Sequence, residues 1–182
     1  MTKHNEKYED KALQPFVEQL IEDHYNSIAL LCADTRKQTE RVRSLETQQV
    51  TSQYTLLCDN IIAETERYID MRKGKYIPYI LKLTEKVVDK HDCSGCTGNC
   101  KLDHDIQLFE IKASNQMMQN MLNKLQMASL PLHSDTIYPE EYRLLRYKMA
   151  VIETNLTELF FLENNYLIPK IVEAQKSINA GS

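Results

Sequence analysis

Apolar residues recur along this chain in steps of three and four over long stretches, the period of an α-helix with one buried face. Phe16, Leu20, Ile21, His24, Ile28 and Leu31 form the first stripe, which runs past Val42 to about Leu45. Pro15 opens it, at home in a first helical turn. Glu46–Ser52 is polar and reads as a turn. A second stripe carries Tyr54, Leu57, Cys58, Ile61, Ile62, Thr65, Tyr68, Ile69 and Arg72, then Tyr79, Ile80, Leu83 and Val87. Gly74 and Pro78 fall inside it. Proline removes a helical hydrogen bond and clashes with the preceding turn, so a kink or break is expected just before Pro78.

A third stripe starts near Asp103, a suitable N-cap, and runs through Ile106, Phe109, Ile111, Met117, Met118, Met121, Leu122 and Leu125. A fourth opens on Pro139-Glu140-Glu141, proline and acid where a first turn favours them. It continues through Tyr142, Leu145, Met149, Ile152, Leu156, Leu159, Phe160 and Leu167, with Pro169 interrupting it as Pro78 interrupts the second. The expected elements are helices over about 15–45, 53–89, 103–128 and 139–177, in one domain over 1–182, with a cysteine-bearing loop over 91–101. Four glycines and five prolines leave little material for further loops.

The two halves repeat each other. Asp23-His24 and Asp103-His104 occur early in each. Tyr76-Ile77-Pro78-Tyr79-Ile80 and Leu167-Ile168-Pro169-Lys170-Ile171 occur late, with the prolines 91 residues apart in a chain of 182. Two such helical hairpins predict an all-α, up-down-up-down four-helix bundle with Pro-kinked second and fourth helices.

Composition narrows the chemistry. The net charge is −4, with no basic stripe, so nucleic acid is not expected as a partner. No apolar run reaches membrane-spanning length, and Met1–Asp10 is polar, so no membrane is expected and a cytoplasmic location follows. The five cysteines are then expected reduced. Cys32 and Cys58 read as small buried residues. Cys93, Cys96 and Cys100 cluster with Gly95 and Gly98 between them, which reads as a zinc or iron–sulfur site or a redox pair. A fourth ligand could come from His91, Asp92 or His104, and a plain reduced loop is the alternative. Met117, Met118, Met121 and Met127 read as core filling. The ten tyrosines are expected at interhelical seams with their hydroxyls at the rim. No phosphate loop, nucleophile elbow or His-Glu-x-x-His helix is present, and no conventional turnover is expected.

The segment Leu159-Phe160-Phe161-Leu162-Glu163-Asn164-Asn165-Tyr166-Leu167-Ile168-Pro169-Lys170 is similar to the last helix of hemerythrin-like (HHE cation-binding) proteins. The nearest branch is the one linked to repair of damaged iron–sulfur clusters and to nitric oxide stress, where this helix reads His, three residues, Glu, Asn-Asn, then Leu-Phe-Pro. Leu102-Asp103-His104-Asp105 and Ile21-Glu22-Asp23-His24-Tyr25 resemble the family's other histidine segments, and the resemblance spans Phe16 to Ala174. It implies a di-iron bundle. Carried over by position, His24, His104 and Glu163 are kept. The remaining ligand positions, a His ten residues and a Glu six residues before each proline, hold Tyr68, Arg72 and Leu159 instead.

A guanidinium where a carboxylate should bridge two cations repels them. The expectation is therefore an ion pair between Arg72 and Glu163 in place of the metals, with the two histidines in a buried polar network. The competing expectation is a single iron or zinc on His24, His104 and Glu163, with Tyr68 as an added phenolate. Two functions follow. One is a diverged metal protein of redox or nitric-oxide stress. The other is a metal-free bundle serving as an interaction or regulatory module, with a protein partner or a second copy of itself.

Overall fold

The computed structural model describes Tyr8 and residues 10–45, 49–90, 99–133 and 138–179. Everything regular among them is helical, and four long helices account for it. Helix α1 comprises Leu13–Leu20, Ile21–Tyr25 and Asn26–Arg43; α2 comprises Gln49–Met71, Arg72–Tyr76 and Ile77–Val88. Helix α3 is Asn99–Ser129, extended by a 3-10 turn at Leu130–His133, and α4 comprises Glu140–Leu162, Glu163–Leu167 and Ile168–Asn179. Helix α1 packs against both α2 and α4, and α3 against α2 and α4. None of the described helices is long and apolar enough to cross a membrane.

The stripes become one core. Phe16, Leu20, Ile28, Ile61, Ile62, Ile80, Leu83, Ile111, Met118, Leu122, Leu145, Ile152, Leu156 and Leu159 are all buried. Each such side chain contributes about 1.5–3 kcal/mol by leaving water. Cys32 and Cys58 are buried as small core residues.

Several expectations need correction. Ile106 and Phe109 are exposed, and so are Met117 and Met127, so only Met118 and, in part, Met121 fill the core from the methionine group. The apolar face of α3 is the narrower set Ile111, Met118, Leu122 and Leu125, which leaves one side of that helix in solvent. Tyr8, read as part of a polar tail, is buried edge-on against Phe16, with ring centroids 5.8 Å apart. Helix α3 starts at Asn99, so Cys100 and Lys101 are helical rather than part of the loop.

The prolines do not break their helices. Immediately before each Ile-Pro lies a five-residue π turn, Arg72–Tyr76 and Glu163–Leu167. Ile77 N–H closes the first on the Arg72 carbonyl, and Ile168 N–H closes the second on that of Glu163. Pro78 and Pro169 have no N–H and a ring that collides with a regular upstream turn. Widening that turn accommodates the ring while the helix continues. Helix α1 has a third π turn, Ile21–Tyr25, without any proline. These turns carry His24, Tyr25, Arg72 and Glu163.

Candidate functional site

Arg72 opens the π turn of α2 and Glu163 opens that of α4, each six residues before its proline. They meet in the core as an ion pair, 1% and 0% exposed. The contact is forked: Nε of Arg72 donates to Oε1 of Glu163 at 3.0 Å, and Nη2 donates to Oε2 at 2.9 Å. Such planar two-point pairing is what arginine offers and lysine does not.

Every helix contributes to what surrounds the pair. Tyr25, from the π turn of α1, donates its hydroxyl to Oε1 of Glu163 at 2.7 Å. Tyr68, one turn before Arg72 on α2, lies 2.9 Å from Oε2 and 2.8 Å from Oδ1 of Asn115 on α3. A phenol has one proton, and the charged carboxylate is the stronger acceptor, so Tyr68 donates to Glu163. Asn115 is served by Nη2 of Arg72 at 2.6 Å, which also reaches the Ile111 carbonyl at 3.2 Å. The Arg72 donor at Oδ1 fixes the Asn115 amide, and its Nδ2 points to Oδ1 of Asn164 on α4 at 3.4 Å.

Burial pushes the Glu163 carboxyl up, but the charge of Arg72 and the hydrogen bonds from Arg72, Tyr25 and Tyr68 more than reverse this. The carboxyl titrates below its ordinary range. Burial pulls Arg72 down, and the Glu163 charge outweighs it, so the guanidinium is held above its ordinary value. Burial, then the Glu163 charge, drives both Tyr25 and Tyr68 well above an ordinary phenol. The site is therefore a charged pair with two neutral phenol donors. The expectation of tyrosine hydroxyls at the rim fails here, because these two lie at the centre.

The donor set does not suit a metal. Glu163 receives two donors on each oxygen, which uses about all the lone-pair sites a carboxylate has. A cation would have to displace a guanidinium from both. Leu159, one turn earlier, is fully buried and apolar. His24 is buried on the α1 π turn. Among the described residues no group of three or more His, Cys, Asp or Glu is placed to hold a metal ion. His91, Asp92, Cys93 and Cys96 lie outside the described residues, as do the side chains of Cys100 and His104.

The residues found only in the structure are Tyr25 and Asn115. Asn115 had a signal in the pattern: it stands on the α3 stripe between Ile111 and Met118, a lone polar residue among apolar ones. Tyr25 directly follows His24 in the sequence and had none.

The chain matches no protein-family model, no curated protein and no solved structure.

Proposed function

We propose that this chain is a hemerythrin-like, up-down-up-down bundle in which an arginine–glutamate pair has taken the place of the di-iron centre, and that it works as a metal-free interaction or regulatory module. The single observation behind this reading is the saturation of Glu163. Its four incoming hydrogen bonds, two of them from a permanent cation, occupy the carboxylate that a bundle metal would need. His24 then belongs to the buried polar interior rather than to a ligand set. A protein partner, or a second copy of the chain, would find its apolar contacts on α3, where Ile106 and Phe109 are exposed one turn apart.

A second reading is favoured by one feature. With Cys100 in the first turn of α3, His104 follows it four residues later in the sequence of the same helix. That spacing suits a single zinc or iron, or a cluster, shared with Cys93, Cys96 or His91, and would make the protein a metal or redox module at its loop.

Elemental analysis of protein purified without oxygen separates the two. The bundle reading expects no metal that depends on His24, so wild type and His24→Ala carry the same content. Metal lost in Cys93→Ser or Cys96→Ser supports the loop site. Two irons per chain, lost in His24→Ala, overturn the proposal.

A further inference from the structure

The core claims one side of α3 through Ile111, Met118, Leu122 and Leu125. At about 3.6 residues per turn, Ile106, Phe109, Ala113, Met117 and Met127 fall on the opposite side. All five are exposed, Phe109 by 71% and Met127 by 68%. The outer face of a bundle helix is ordinarily charged or polar. Here the rest of the face, among the described side chains, is the amides Gln116, Asn120 and Asn123 and two charges, Asp105 near one end and Lys124 near the other. Glu110 and Lys112 flank it, and Glu110 is paired with Lys75. Large apolar side chains with so few charges among them make a contact surface rather than a solvated face. Met71 of α2, also exposed, lines a recess with Met117 and widens the face across the seam.

We propose that this face binds a second copy of the chain, α3 lying antiparallel on α3 about a two-fold axis near Gln116. The charges choose both the partner and the direction. Turned end for end, the face sets Asp105 of each copy toward Lys124 of the other, and Phe109 toward Met127. Gln116 and Asn120 then meet near the axis, where amides serve each other as donor and acceptor. A parallel pair sets Asp105 against Asp105 and Lys124 against Lys124, which repel, and lays the two helix dipoles side by side in the same direction. A face that is its own complement under a two-fold rotation needs no other protein to satisfy it.

Size sets the strength. The stretch from Asp105 to Met127 is about 34 Å long at the rise of an α-helix. A single helix pair of that length belongs with small, transient interfaces, so the dimer is reversible, with a dissociation constant of about 1–100 μM. Exposed ion pairs add little to affinity and act on direction and partner choice instead. The proposal rests on the interaction-module reading and names its partner.

Analytical ultracentrifugation of the full chain between about 1 and about 500 μM is expected to show monomer passing to dimer. Phe109→Lys and Met127→Asp each set a like charge toward Lys124 or Asp105 of the other copy. Each is expected to weaken the dimer by about tenfold or more while the circular dichroism of the chain stays unchanged. Asp105→Lys is expected to weaken it by about threefold or more, and adding Lys124→Asp to restore it. Asp105 and Lys124 lie 19 residues apart on one helix, about 28 Å, so a zero-length carbodiimide link between them forms only across copies. Mixing isotope-labelled and unlabelled chains identifies that link by mass. A monomer throughout this range, a dimer indifferent to both apolar substitutions, or a dimer without the link overturns the proposal. A metal-free monomer overturns the dimer alone, whereas a dimer whose metal is lost in His24→Ala supports the dimer and overturns the module reading.

Discussion

Replacing Arg72 with methionine removes one partner of a buried pair and leaves the other in place. Methionine keeps most of the aliphatic stem, so the loss is mainly electrostatic. Glu163 loses donors at 3.0 and 2.9 Å, and Asn115 loses one at 2.6 Å. Stranding one member of a buried ion pair costs about 3–5 kcal/mol. Tyr25 and Tyr68 still donate to the carboxylate, which places the expected penalty near the lower end, about 3 kcal/mol. For a chain of this length each kcal/mol moves the melting temperature by about 2–4 °C, so a fall of roughly 6–12 °C is expected.

The penalty must also depend on pH. In the wild type the Glu163 carboxyl titrates below its unfolded value. Its contribution is therefore complete above about pH 4.3 and is lost as pH falls through the lower folded value. In Arg72→Met the upward push of burial is no longer opposed by the cation. The folded carboxyl then titrates above its unfolded value, and the variant loses stability as pH rises from about 4.3 toward neutrality. The gap between the two proteins is thus widest near pH 7 and narrows toward about pH 4.5. Urea denaturation followed by circular dichroism at both pH values measures it. A penalty below about 1 kcal/mol at pH 7, or one equal at both pH values, refutes the reasoning.

Tyr25→Phe removes a buried 2.7 Å bond to a charged acceptor and is expected to cost about 1.5–3 kcal/mol in the same denaturation experiment. Gly74→Ala is expected to stabilise by about 0.5–1 kcal/mol, because a Cβ at this helical position meets nothing within 4 Å and the unfolded chain loses freedom; an unchanged or lower melting temperature counts against it. Burial pushes the thiols of Cys32 and Cys58 up to about 12. Iodoacetamide at pH 8 should leave both unmodified until the protein unfolds, and peptide mapping of the native reaction will show carboxamidomethyl groups there if this is mistaken.

Much of the architecture was legible because buried helix faces impose a period that composition cannot hide. Phe16, Ile28, Ile61, Leu83, Leu145 and Leu156 sit where that period puts them. The pairing of Arg72 with Glu163 was legible for a different reason: both stand six residues before a proline in matching phrases, and their charges are opposite. The π turns were not legible. A five-residue turn alters hydrogen bonding without altering residue types, and α1 forms one with no proline to mark it. Ile106, Phe109 and Met117 were misplaced because periodicity counts apolar residues on a helix and not the neighbours available to cover them. Helix α3 has neighbours on only part of its circumference, so part of its apolar residues stays in water.

The role of the pair is best judged by removing both charges. A buried ion pair scarcely repays its desolvation, and well-packed apolar replacements are commonly neutral or stabilising. Arg72→Met combined with Glu163→Leu is therefore expected to recover most of the loss seen in Arg72→Met alone. If stability is not what the pair supplies, uniqueness is the remaining candidate. Tyr25, Arg72, Asn115 and Glu163 come from four different helices, and their bonds close only when all four sit in one register. Methionine and leucine make no such demand, because apolar contacts survive small shifts and rotations. The hypothesis is that the double variant keeps its helix content and comes within about 1 kcal/mol of wild type, yet loses a single packing arrangement. Broadened amide signals and binding of a hydrophobic dye at neutral pH are the expected signs. A double variant with sharp, well-dispersed spectra and no dye binding would show that the apolar stripes alone set the register, and that the network is dispensable to the fold.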